Sequence, residues 1–169
     1  MIDKRLFTII IILKVLIFFS FNSALAQEKE NINNNLLVGQ TSYSALEMPP
    51  NNEWFLPNYK NYQVDLLLVE QLVNAEPDKI IIVLGTWCGD SRREVPRFFK
   101  IIDRIGWDRS NVDIYAVDRN KTLPEFEALG ISVERVPTFY FYNSGTLVGT
   151  IVELPEITLE VDMISILVN

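Results

Sequence analysis

Gly85-Thr86-Trp87-Cys88-Gly89-Asp90-Ser91-Arg92-Arg93-Glu94-Val95-Pro96 joins two segments of opposite character. Before it, residues 79–85 (KIIIVLG) form a short, unbroken β-branched run, the pattern of a strand buried on both faces of a sheet. After it, Val95, Phe98, Ile101, Ile102 and Ile105 recur at helical spacing, which predicts a helix from about Cys88 to Ile105. Residues 112–118 read as a second strand. The strand–helix–strand unit so formed places its crossover on the right-handed side.

Reading outward, residues 123–129 predict a short helix ended by Gly130. Residues 138–142 and 146–152 are strands joined by the turn Asn143-Ser144-Gly145, and a last helix opens near Pro155 and Glu156 and runs to about Leu167. Upstream, the apolar residues of 63–74 repeat with helical spacing, and Glu76-Pro77-Asp78 stops them. Residues 48–62 (MPPNNEWFLPNYKNY) read as a loop whose Trp54, Phe55, Tyr59 and Tyr62 cover one edge of the core, and residues 36–46 supply a first strand. A βαβ half followed by a ββα half predicts an α/β fold of three layers, a mixed central sheet with helices on both faces.

Lys4 and Arg5, the apolar stretch 6–21 and the end Asn22-Ser23-Ala24-Leu25-Ala26 have the form of a secretory signal peptide. The stretch is interrupted by Lys14 and is shorter than the roughly 20 residues that span hydrocarbon. The expected organisation is a signal at 1–26, a polar Asn-rich tether at 27–35 and one domain at 36–169. The expected location is outside the cytoplasm, in a periplasm or cell envelope or secreted, with no stable membrane insertion after cleavage. Losing residues 1–26 removes three basic residues and one acidic one. The 15 basic and 22 acidic residues of the whole chain, net −7, thus become an exported domain of net −9. Such an acidic chain lacks the basic stripe of a nucleic-acid binder.

There is no histidine and one cysteine, Cys88. Imidazole bases, histidine metal sites and intrachain disulfides are therefore impossible within this sequence, and no metal or other cofactor is expected. A lone cysteine in an exported chain points to a reactive thiol or an intermolecular partner. Cys88 stands where a buried strand ends and a helix begins, the position at which open α/β sheets bind ligands and helix N-termini favour negative charge. Cysteines at such termini have pKa values of roughly 3.5–7.5, against about 8.5 for a free thiol. Arg92 and Arg93 act in the same direction, and Asp90 opposes them. Ser91, three residues on, has two roles open to it: donating to the sulfur, or satisfying a backbone N–H in the first turn. No peroxiredoxin Pro-x-x-x-Thr/Ser-x-x-Cys frame precedes Cys88, and Glu94 stands where a Cys-x5-Arg phosphatase loop needs arginine.

Trp87-Cys88-Gly89, a proline eight residues after the cysteine (Pro96) and Val136-Pro137-Thr138 before a strand together resemble the thioredoxin family over roughly residues 63–169. That resemblance implies a thioredoxin-like fold, a cis Val136–Pro137 peptide beside the active cysteine, and pairing of the Val136 backbone with an extended substrate segment. Trp87, Gly89, Asp90, Val136 and Pro137 would line the substrate groove, with Arg92, Arg93 and Arg135 as electrostatic support. Two departures stand out. Ser91 occupies the place of the family's second cysteine, so internal resolution of a mixed disulfide is lost, and Ile82 occupies that of the buried acid which aids proton transfer. Three functions follow as expectations. The first is a monothiol thiol–disulfide oxidoreductase acting on protein or small-molecule thiols and disulfides through Cys88 and Ser91. The second is a redox-inactive module binding extended peptides. The third is a protein like the monothiol glutaredoxins, whose Cys-Gly-x-Ser pattern Cys88, Gly89 and Ser91 share.

Overall fold

The apolar run 80–84 lies in the middle of a five-stranded sheet in a computed structural model that describes residues 36–168. The segments read as signal (1–26) and tether (27–35) lie outside the described residues, as does Asn169. In chain order the elements are β1 (Gly39–Thr41), α1 (Tyr43–Glu47), α2 (Asn52–Asn61), α3 (Leu66–Val69), β2 (Lys79–Leu84), α4 (Gly89–Ile105), β3 (Val112–Ala116), α5 (Pro124–Leu129), β4 (Thr138–Asn143), β5 (Thr146–Val152) and α6 (Leu159–Leu167). The sheet order is β1-β3-β2-β4-β5. β2 and β3 are parallel, Ile82 opposite Ile114, and every other pairing is antiparallel. The sheet is mixed, as the element order predicts.

The period-two geometry of β2 divides its side chains between two cores. Ile80, Ile82 and Leu84 join Phe98, Phe99, Ile101, Ile102, Phe139, Phe141 and Met163 on the face covered by α2, α4 and α6. Ile81 and Val83 join Tyr115, Val117, Phe126 and Tyr140 on the other face, which α5 covers through Phe126. Both faces are thus closed, and β2 needs no polar side. Gly106 ends α4 in the left-handed conformation at φ 79°, and Gly130 ends α5 in the same way at φ 65°.

Four boundaries differ from the sequence reading. Residues 36–46 give only the three-residue strand β1, after which Ser42 caps α1 by accepting from the Ala45 amide. Residues 48–62 are helical over α2, despite Pro57 inside it. The aromatics of this segment do cover the core edge: Phe55 is buried and lies edge-on to Tyr43, with Phe99 6.2 Å away. The helix expected over 63–74 shrinks to α3, capped by Asp65, and a 3-10 turn at Glu70–Leu72. Only Val69 and Leu72 of that stretch are buried, and Leu67 is 81% exposed, so little apolar area rewards further turns. The last helix starts at Leu159, not near Pro155. Thr158 caps it, and Asp162 accepts from the Glu156 and Ile157 amides.

On the α2 side, polar groups tie the helices together. Tyr59 donates to Asp103 at 2.6 Å, and Arg109 grips the same carboxylate through two N–H donors. Glu160 of α6, only 2% exposed, accepts from the Tyr62 hydroxyl at 2.8 Å. At the opposite end, β5 forms one rim of the sheet. Its register slips where Phe141 faces Gly149 but Tyr142 faces Leu147, leaving Val148 as an extra residue.

Candidate functional site

β2 ends at Leu84, α4 begins at Gly89, and the four residues between them set the site. The Cys88 backbone is extended at φ −89° and ψ 128°, the N-cap position of α4. Its amide donates to the Gly85 carbonyl and its carbonyl accepts from the Arg92 amide, so the sulfur-bearing residue is pinned at both backbone groups. Gly85 is required by the Trp87 indole, which lies so close that a Cβ at Gly85 would stand 2.7 Å from a ring carbon. The indole N–H in turn donates to the Val117 carbonyl just past β3, at 2.9 Å. Trp87 and Cys88 are half-buried and pack against the second core, while Gly89 is exposed with open space where its Cβ would be.

The Val136–Pro137 peptide is cis, as the family resemblance implies. The bend sits beside the thiol: Cys88 Sγ donates to the Val136 carbonyl at 3.2 Å. Sequence positions 48 residues apart are thereby brought into one site. Val136 and Pro137 are buried, so what this bend presents to the site is chiefly backbone.

The remaining predicted site residues have defined partners. The Ser91 hydroxyl accepts from the Gly85 amide at 3.1 Å and is buried. Arg92 is exposed, and its Nε donates to the Thr86 carbonyl at 2.6 Å. Arg93 bridges Asp90 and the buried Glu94, which also takes Arg97 at 3.2 Å. Arg135 pairs with Glu153 at 2.9 Å. Ile82 is fully buried among apolar side chains on the α4 face. The Cys88 sulfur makes its hydrogen bond to the Val136 carbonyl rather than to a carboxylate or an amine, and among the described residues no cluster of His, Cys, Asp and Glu could hold a metal ion. No described helix is long and apolar enough to cross a membrane.

One neighbour escaped the sequence reading. Arg119, exposed just beyond β3, holds its guanidinium 4.8 Å from the centre of the Trp87 ring. The available signal was topological: parallel β2 and β3 end on the same side, so a residue three past β3 returns beside the loop after β2.

Ser91→Ala is expected to destabilise the fold by about 1–3 kcal/mol, because it strands the buried Gly85 amide without an acceptor. Urea unfolding measures this directly. A loss below about 0.5 kcal/mol, the range of ordinary surface changes, would show that the amide finds another partner.

No family model matches the chain. A thioredoxin from Malassezia sympodialis is 32% identical over 77 residues, covering 44% of this chain and 70% of that protein. Among solved structures, a protein of unknown function from Pseudomonas aeruginosa is similar with a TM-score of 0.53 at 14% identity, covering 72% of this chain and 76% of that one. An HIV epitope scaffold is similar with a TM-score of 0.52 at 13% identity, covering 69% and 74%. The identity to a thioredoxin across most of its length agrees with the strand order and the cis-proline bend beside Cys88, and the chain belongs to the thioredoxin family.

Proposed function

We propose that this protein is an exported monothiol member of its family that exchanges thiols and disulfides through Cys88. The observation that carries the reading is the half-buried Cys88 sulfur at the N-cap of α4, 3.2 Å from the Val136 carbonyl of the cis-proline bend. Export rests on the signal-like residues 1–26.

The chemistry balances with one protein sulfur and an external thiol. The Cys88 thiol gives its proton to water, and the thiolate attacks one sulfur of a partner disulfide R–S–S–R′. A bond forms between Cys88 and the R sulfur as the S–S bond breaks, and R′–S leaves with the electron pair and takes up a proton. An external thiol then attacks the mixed disulfide, returning Cys88 as a thiol and leaving R in a new disulfide. Ser91 has no sulfur to perform that second step, so resolution passes to the external thiol. Ser91 instead holds the Gly85 amide, fixing the loop from which Cys88 projects.

Dithiodipyridine provides the test. The protein is expected to release one equivalent of thiopyridone and to gain the mass of one mixed disulfide, which glutathione then removes. Cys88→Ser is expected to abolish both signals. Failure of the wild-type chain to form the adduct would overturn the reading and leave a peptide-binding module on the same fold.

A further inference from the structure

Two guanidinium groups are anchored on the residues that lead into Cys88. Arg92 is tied to the Thr86 carbonyl and Arg119 lies over the Trp87 ring. Both are exposed, and neither has a carboxylate within ion-pairing distance among the described residues. This contrasts with Arg93, Arg97, Arg109 and Arg135, each paired with an acid. The chain as a whole carries net −7. An anion approaching from far off meets a repelling molecule, but at physiological salt that field is screened beyond about 8 Å, and the nearest charges decide. Arg119 gains little from its own fold beyond stacking on an aromatic ring, so its N–H donors are left free for a ligand.

We propose that Arg119, assisted by Arg92, is the specificity-determining residue of the Cys88 site and selects disulfides that carry an anionic group beside the scissile bond, such as a carboxylate. The inference rests on the thiol–disulfide reading above. Trp87 is the lever: its N–H, held by the Val117 carbonyl, fixes the ring, and the ring seats Arg119 against the residue that directly precedes Cys88. Gly89, open to solvent on the helix side, leaves room for the partner's chain.

The test compares the rates at which Cys88 reacts with three small disulfides: anionic dithiobis-nitrobenzoate, neutral dithiodipyridine and cationic cystamine. The readout is the ratio of the anionic to the neutral rate, which cancels any general change in the thiol. Arg119→Gln is expected to lower this ratio about three- to fivefold, the scale of one exposed charge contact. Arg119→Glu should lower it further and raise the relative rate with cystamine, and Arg119→Lys should keep most of it. Added salt should bring the wild-type ratio towards that of Arg119→Gln. A ratio unchanged by the Gln and Glu substitutions overturns the assignment of Arg119 while leaving thiol exchange standing. Absence of reaction with all three disulfides overturns both.

Discussion

Phe98→Ala is expected to destabilise the protein by about 3–5 kcal/mol, the range for emptying a fully buried aromatic site. Phe98 is completely buried on the inner face of α4, with ring centres of Phe139, Phe99 and Phe141 at 4.9, 5.9 and 6.2 Å. Phe139 and Phe141 belong to β4, which begins directly after the cis-proline bend, while α4 begins directly after Cys88. This aromatic group therefore spans the two elements whose relative position places the sulfur beside Val136. Its removal should also loosen the site, seen as slower capture of Cys88 by dithiodipyridine. Denaturant unfolding gives the first effect, and a loss under about 1.5 kcal/mol would mean that neighbouring rings fill the space.

Tyr62→Phe is the second large expectation, a loss of about 1.5–3 kcal/mol at neutral pH. The Tyr62 hydroxyl donates to both oxygens of the buried Glu160 carboxylate, at 2.8 and 3.0 Å. The Asp65 amide also donates to that group, at the longer distance of 3.4 Å. Hydrogen bonds to charged groups contribute more than neutral ones, and removing the donor strands a charge in the interior. Burial, then the bond to Glu160, pushes the Tyr62 pKa above its ordinary value of 10.0. A folded-state value above the unfolded one gives a contribution that is whole below pH 10 and lost as pH rises through the folded value. Wild-type stability should therefore fall above pH 10 with a steeper limb than that of Tyr62→Phe. Equal stability of the two proteins at pH 7 would contradict this account.

The centre of the fold was legible because its signals are local. The run 80–84 can be satisfied only by two covered faces, and the alternation of Ile80, Ile82 and Leu84 against Ile81 and Val83 shows both. Residues 48–62 were illegible because two signals conflict. Phe55, Tyr59 and Tyr62 are spaced by four and three, as on a helix, but three prolines and four asparagines in the same stretch argue for a loop. Burial of Phe55 against α4 decides for α2, a tertiary reward that spacing does not display. In the site, the junction carrying Cys88 was readable from a strand pattern meeting a helix pattern. The bond from the Gly85 amide to Ser91 and the seat of Arg119 on Trp87 were not, since each depends on how closely the chain turns between β2 and α4 or after β3.

The slip at Val148 bears on how the molecule behaves in a crowd. Residues 146–152 (TLVGTIV) hold no charge and no proline, and Leu147, Val148 and Val152 are exposed along an outer strand. A straight strand of that composition would offer a neighbour an unbroken template and seed fibres. The extra residue twists the rim and puts its amides out of step, so a second copy laid alongside finds no continuous ladder. The sheet can then end in apolar side chains without offering that ladder to a neighbour.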